Sequence, residues 1–259
     1  MCNSNGDTVR FVSQNDSDTE RLVDMPGQER TIPTFAYGYD VPDRRPTIII
    51  LHDVYGASQF YRDMGRRLAD QGFAALLPDL FCRQGALPVG AIAMEAVFAR
   101  ASRHSFPTAL EDIAAMVASL REEGRLVAVM GFCMGGTLAM LAAGRVATFK
   151  AGVIYYGFPV NANPTSNRPD NPYDQVQNLQ VPLLGFFGAK DSGVGPENVK
   201  IYQQAAKKAG KNVNFTIYPN VGHGFLTFDP AAPTAKASQD SWTHTLAFLK
   251  KNLALEANS

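Results

Sequence analysis

The feature that most restricts this chain is a recurring pair: a short, wholly apolar run followed by a segment with helical periodicity. Thr47 to Leu51 is the first such run, reading Thr-Ile-Ile-Ile-Leu without alternation of polar and apolar positions. A strand of that kind is buried on both faces, as in a parallel sheet covered by helices. The next helix is expected from Ser58 as N-cap to Gln71, with Phe60, Met64 and Leu68 on one face and Gly72 as the stop. Phe73 to Leu77, Leu126 to Met130, Ala151 to Tyr155, Pro182 to Phe187 and Val213 to Tyr218 repeat the strand pattern. Helical patterns at about Val89 to Arg103, Thr108 to Glu123, directly after Cys133, at Pro196 to Ala209 and at Ala235 to Lys250 complete the series. Alternation of this kind predicts βαβ units in an α/β fold: a doubly wound, mainly parallel sheet flanked by helices, in a single domain.

A chain of 259 residues suits one such domain. Residues 1–45 are expected to be an extended lead-in with an edge strand, best at Thr31 to Tyr37; residues 46–252 form the domain and 253–259 a tail. Gly157 to Gln180 stands apart, dense in Asn, Pro and Asp, and loops of that length are usually functional or mobile. The 24 basic and 24 acidic residues balance to +0 without runs of like charge, so no nucleic-acid partner is expected. Cys2, Cys82 and Cys133 are odd in number and far apart, which argues against a disulfide framework and a four-ligand zinc site. Four scattered histidines add no metal site. Met1 to Glu20 lacks the order of a signal peptide, and no apolar run approaches the roughly twenty residues of a membrane helix. A cytoplasmic protein without a membrane partner is the expectation.

The strongest chemical signal is Gly131-Phe132-Cys133-Met134-Gly135-Gly136, set between a strand and a helix. It has the form of a nucleophile elbow with cysteine in place of serine. A strand turning directly into a helix strains the backbone of the nucleophile, and side chains at Gly131 or Gly135 would collide with their neighbours. Cys133 would project at the positive end of the helix, where a thiolate is favoured. In isolation the pattern suits a buried structural cysteine equally well. Chain order separates the two readings, because in α/β hydrolases an acid and then a histidine follow the nucleophile, each beyond a later strand. Asp191 follows the strand ending Gly185-Phe186-Phe187-Gly188, and His223 follows Phe215 to Tyr218. His223 is then expected to take the proton of Cys133 and later give one to the leaving group, with Asp191 orienting the ring. The N–H groups of Met134 and of Val54, in the loop Leu51 to Gly56, are the expected donors to the oxyanion. Asp53 in that loop would receive a hydrogen bond from the resting thiol, or else serve as a first-turn acid or in a salt bridge.

Together with Pro78-Asp79-Leu80-Phe81-Cys82-Arg83-Gln84 and Tyr155-Tyr156-Gly157, these motifs resemble the dienelactone hydrolases over about Thr47 to Leu249. The resemblance implies a monomeric α/β hydrolase with no cofactor that opens an enol-lactone. It assigns Cys133, Asp191 and His223 as the triad and Val54 and Met134 as oxyanion donors. Asp53 stands where the family has a glutamate that holds the resting thiol. Arg83, Tyr155 and Phe225 fall at the substrate end, although Arg83 suits a structural ion pair as well. Thr227 occupies the place of a carboxylate-binding arginine, and Gly90 to Arg103 offers no clear alignment for a second one. The loop Gly157 to Gln180 is longer than its family counterpart. The chemistry is therefore expected to be kept and the substrate to shift toward a less charged ester or lactone. Other readings are a general carboxylesterase, a catalytically silent fold that binds a small ligand and, less favoured, a cysteine peptidase. Among the remaining residues, His52 is expected to pack near the Val54 loop, His104 and His244 to lie on the surface, and Cys82 to be a small core residue.

Overall fold

Apolar runs become strands where a neighbour satisfies their backbone, and in this protein they do so in two compact units. The computed structural model describes residues 20–40, 43–87, 93–146 and 148–254. The first unit comprises Met1–Leu126 with Thr165–Pro169, and the second Val127–Pro164 with Asp170–Ser259.

In the first unit, β3 (Thr47–Leu51) is fully buried and pairs in parallel with β4 (Ala74–Pro78), Thr47 lying opposite Ala74. On the other side of β4, β2 (Thr31–Tyr37) runs antiparallel and carries β1 (Arg21–Pro26) antiparallel at the edge. Helix α1 (Gln59–Ala69) links β3 to β4 and buries Tyr61, Met64, Gly65 and Leu68. The buried stripe thus uses Tyr61 where the sequence pointed to Phe60. Gly65 is required in that stripe, because a Cβ there would lie 2.3 Å from the Tyr37 ring.

Helix α2 spans Met94–Ser102. The start of the helix expected from Val89 lies outside the described residues. Helix α3 (Phe106–Glu122) begins before Thr108, since Pro107 fits the first turn, where an N–H has no intrahelical acceptor, and Ser105 caps the Thr108 N–H. Between the two helices sits His104, and its expected surface position is not what the chain adopts. The helical pattern breaks at Arg103, turning the ring inward between Phe81 and Phe106 at 5.4 and 6.0 Å. Burial pushes its pKa down to about 3, so the ring is neutral.

The second unit is built on four parallel strands in sequence order: β5 (Val127–Phe132), β6 (Ala151–Tyr155), β7 (Leu183–Gly188) and β8 (Val213–Tyr218). Helix α4 (Met134–Arg145) packs on β5 and β6, α5 (Pro196–Lys208) on β7 and β8, and α6 (Ala235–Asn252) on β6 and β7. Residues 157–180 are tied down along their length. Asn171 Oδ1 accepts the N–H groups of Asn161 and Tyr173, and a 3-10 turn at Pro172–Asn178 packs on α4 and α5. Within the first unit, Asn167 and Arg168 donate to the carbonyls of Ser102 and Ala101 at the end of α2, satisfying acceptors that the helix leaves open. No helix among the described residues is long and apolar enough to cross a membrane.

Candidate active site

Strand β5 ends at Phe132 and α4 begins at Met134, which leaves Cys133 alone to make the turn. Its backbone pays with φ 52° and ψ −116°, a region that costs a non-glycine residue on the order of 1–3 kcal/mol. The Cys133 N–H donates to the Tyr155 carbonyl at 3.0 Å, and the Cys133 carbonyl accepts the Thr137 N–H at 3.1 Å. Strand and helix approach so closely that a Cβ on Gly131 would lie 2.1 Å from the Gly135 oxygen. A second contact of this kind falls at Gly136, where a Cβ would meet the Gly157 Cα at 2.8 Å. Met134 occupies the first position of α4, at the positive end of the helix.

Asp191 lies in the turn after β7 and is 3% exposed. One carboxylate oxygen accepts the N–H groups of Gly193 and Val194 at 3.1 and 3.0 Å, and the other holds His223 Nδ1 at 2.6 Å. Burial alone would raise its pKa, but the bonds to His223 and the two amides outweigh it and hold the carboxylate below its ordinary range. The turns bearing Asp191 and His223 touch through backbone: a Cβ on Gly188 would lie 2.3 Å from the Val221 oxygen, and the Lys190 N–H donates to that same oxygen at 3.0 Å.

With Nδ1 engaged by Asp191, Nε2 is the nitrogen of His223 that remains, and Cys133 is near enough to influence the protonation of the ring. Burial opposes a charge on the ring, but Asp191 and Cys133 together raise its pKa to about 10. This environment favours the protonated ring over the neutral one. The structure thus joins His223 to Asp191 by a hydrogen bond and sets Cys133 near enough to act on the charge of the ring.

Two aromatic rings that the sequence did not single out flank the imidazole: Tyr156 at 5.1 Å and Phe158 at 5.7 Å between ring centroids. Tyr155, expected at the substrate, is instead fully buried, stacked on Phe132 at 5.0 Å with its hydroxyl 2.9 Å from Thr245 Oγ1. The cause is strand β6, covered on both faces, which leaves the residue just past its end to reach the histidine. Phe225 is 3% exposed and packs against Tyr156 and Tyr218.

In the first unit, the loop after β3 is fixed by its own bonds. His52 donates from Nδ1 to the Asp53 carbonyl at 2.8 Å and accepts the Leu80 N–H at Nε2, and complete burial lowers its pKa and keeps it neutral. The Asp53 carboxylate accepts the Tyr55 N–H at 2.8 Å, and the Val54 carbonyl accepts a bond from Arg100 Nη2 at 3.1 Å. Arg100 of α2, absent from the sequence reading, is 7% exposed with its guanidinium 4.1 Å over the Phe81 ring. Arg83 takes the ion-pair alternative, with both terminal nitrogens on the Asp112 carboxylate at 2.6 and 3.0 Å. Among the described residues, no group of three or more His, Cys, Asp or Glu side chains gathers to hold a metal.

A strand-to-helix elbow followed by an acid and a histidine beyond later parallel strands is the layout of an α/β hydrolase. A Klebsiella pneumoniae chain crystallised under the dienelactone hydrolase name shares this fold, with a TM-score of 0.80 and 25% identity across 91% of this chain and 98% of that one. Residues 32–253 match the model of the dienelactone hydrolase family, and the protein belongs to that family of hydrolases acting on esters and lactones. The carboxymethylenebutenolidase of Rhodococcus opacus is 30% identical, with 81% of this chain and 82% of that protein aligned. A Bradyrhizobium protein named for lactonase action on 2-oxo-3-(5-oxofuran-2-ylidene)propanoate is 28% identical, over 82% of this chain and 86% of its own length.

Proposed function

We propose that the protein hydrolyses a small ester or enol-lactone through an acyl-thioester on Cys133. The observation that carries this reading is the His223 ring, bonded through Nδ1 to Asp191 at 2.6 Å, with Cys133 on the strand-to-helix turn near enough to influence its protonation. The thiolate adds to the substrate carbonyl, and the tetrahedral oxyanion draws on the N–H of Met134, the first residue of α4. As the intermediate collapses, the C–O bond breaks and the imidazolium gives its proton to the departing oxygen. His223, now neutral, takes a proton from water as the water attacks the thioester, and the carboxylic acid leaves with the thiolate restored. No cofactor is needed for any of these steps.

The lactone-directed names of the Rhodococcus and Bradyrhizobium relatives support a ring ester as substrate. Arg83 is engaged by Asp112 and Thr227 is uncharged, which favours a substrate with less negative charge than a carboxylate-bearing lactone. The test is steady-state hydrolysis of a neutral aryl acetate and a neutral enol-lactone, each beside its carboxylated counterpart. Turnover should favour the neutral member and vanish in folded Cys133→Ala. Full turnover in that variant would refute the cysteine mechanism.

A further inference from the structure

Tyr156 has a backbone that a tyrosine rarely adopts, with φ at +40°. Glycine enters this left-handed region freely, whereas a side chain there is strained. The next residue, Gly157, has its own reason to be glycine, since a Cβ would lie 2.6 Å from the backbone of Gly136. At Tyr156 the chain instead retains a large ring at a position suited to glycine. Strain maintained in this way points to a use for the side chain. The ring is 4% exposed and lies 5.1 Å from the His223 imidazole, tilted by 59°. Phe158 approaches the same imidazole at 5.7 Å and 39°.

The loop that carries His223 gives its side chain little guidance. Glycines flank it, and Gly224 has φ +66°. Asp191 holds Nδ1, but one hydrogen bond does not by itself fix the plane of the ring, because the χ2 torsion of histidine has a broad minimum. The two aromatic rings are anchored elsewhere. The Tyr156 N–H donates to the Phe186 carbonyl on β7 at 2.9 Å. The Phe158 N–H donates to Thr137 Oγ1 at 2.9 Å, and Thr137 N–H in turn bonds the Cys133 carbonyl. Phe158 is thereby placed by the helical turn that carries the nucleophile.

We propose that Tyr156 and Phe158 are positioning residues that hold the plane of the His223 ring and keep Nε2 directed at Cys133. This role rests on the Cys133–His223–Asp191 reading. Both centroid separations, 5.1 and 5.7 Å, fall in the range at which aromatic rings attract one another.

Tyr156→Gly, Tyr156→Phe and Phe158→Leu test it, with two readouts on folded protein: kcat and KM for 4-nitrophenyl acetate, and the rate at which iodoacetamide alkylates the peptide bearing Cys133. Alkylation requires the thiolate that His223 promotes but no ester turnover. Tyr156→Gly and Phe158→Leu should each lower kcat and alkylation by about tenfold, the scale of a lost ring contact, with KM within about twofold. Tyr156→Phe should recover both rates to within about threefold, because the ring is what matters. Unchanged alkylation in Tyr156→Gly or Phe158→Leu would overturn the proposal; should Tyr156→Gly not fold, Phe158→Leu decides alone. If the wild-type protein hydrolyses no ester while alkylation responds as described, the hydrolase reading fails and the positioning role stands.

Discussion

His223 is bonded to the Asp191 carboxylate, and in the proposed mechanism its protonation sets the pH behaviour of the site. Its pKa is raised from 6.5 to about 10, so the stabilisation it contributes is full below 6.5 and is lost as pH rises through 10. Asp191 is lowered from 3.8, so its contribution is present above that value and lost as pH falls through the lowered pKa. In the proposed mechanism the imidazolium is also the acid that protonates the leaving group. The alkaline limb of ester turnover should therefore fall near pH 10, and Asp191→Asn should move it toward 6.5 along with a loss of kcat. A pH–rate profile of the two proteins checks this, and an unmoved limb would contradict the role given to Asp191. Arg83 yields a second prediction. Its carboxylate partner Asp112 is 9% exposed, and Asp112→Ala should cost about 1–3 kcal/mol in urea unfolding by leaving Arg83 unpaired. Activity per folded molecule should stay within about twofold, whereas a substrate-binding arginine would carry a larger loss.

At the scale of elements, the elbow between β5 and α4 tolerates the least change. Gly131→Ala would set a methyl group 2.1 Å from the Gly135 oxygen, and it should destabilise by about 2 kcal/mol or more, or prevent folding. Urea unfolding measures the difference; a stability equal to wild type would mean that strand and helix are not so closely apposed. Much of this layer was legible in the sequence. The spans of β3, β6 and β8 follow from apolar runs, while β4, β5 and β7 each begin one residue later than the runs suggest. Strand β1 was not legible, because Arg21 and Asp24 break its apolar character and it exists by pairing with β2. The 3-10 turn was hidden in a polar loop, where Asn171 caps it. Cys133, Asp191 and His223 could be read from glycine-flanked motifs in a fixed order. The flanking rings could not, because Tyr156 and His223 meet only through tertiary packing, and strand alternation alone does not tell Tyr155 from Tyr156.

Taken as a whole, the protein has the fold of an established family. Each unit has its own buried strands, and Cys133, Asp191 and His223 all belong to the second. The charge balance of +0 provides no strong field for steering an ionic ligand. We expect a monomer of 28.1 kDa in sedimentation velocity at micromolar concentration, and a concentration-independent dimer would contradict that. The thioester is the point on which the proposed chemistry stands, and acid quenching during turnover of 4-nitrophenyl acetate, followed by peptide mass mapping, observes it directly. The acetyl group should appear on the peptide containing Cys133 and be absent from Cys133→Ala, which should also be inactive; an acetyl group on another residue, or turnover in Cys133→Ala, would contradict a cysteine nucleophile.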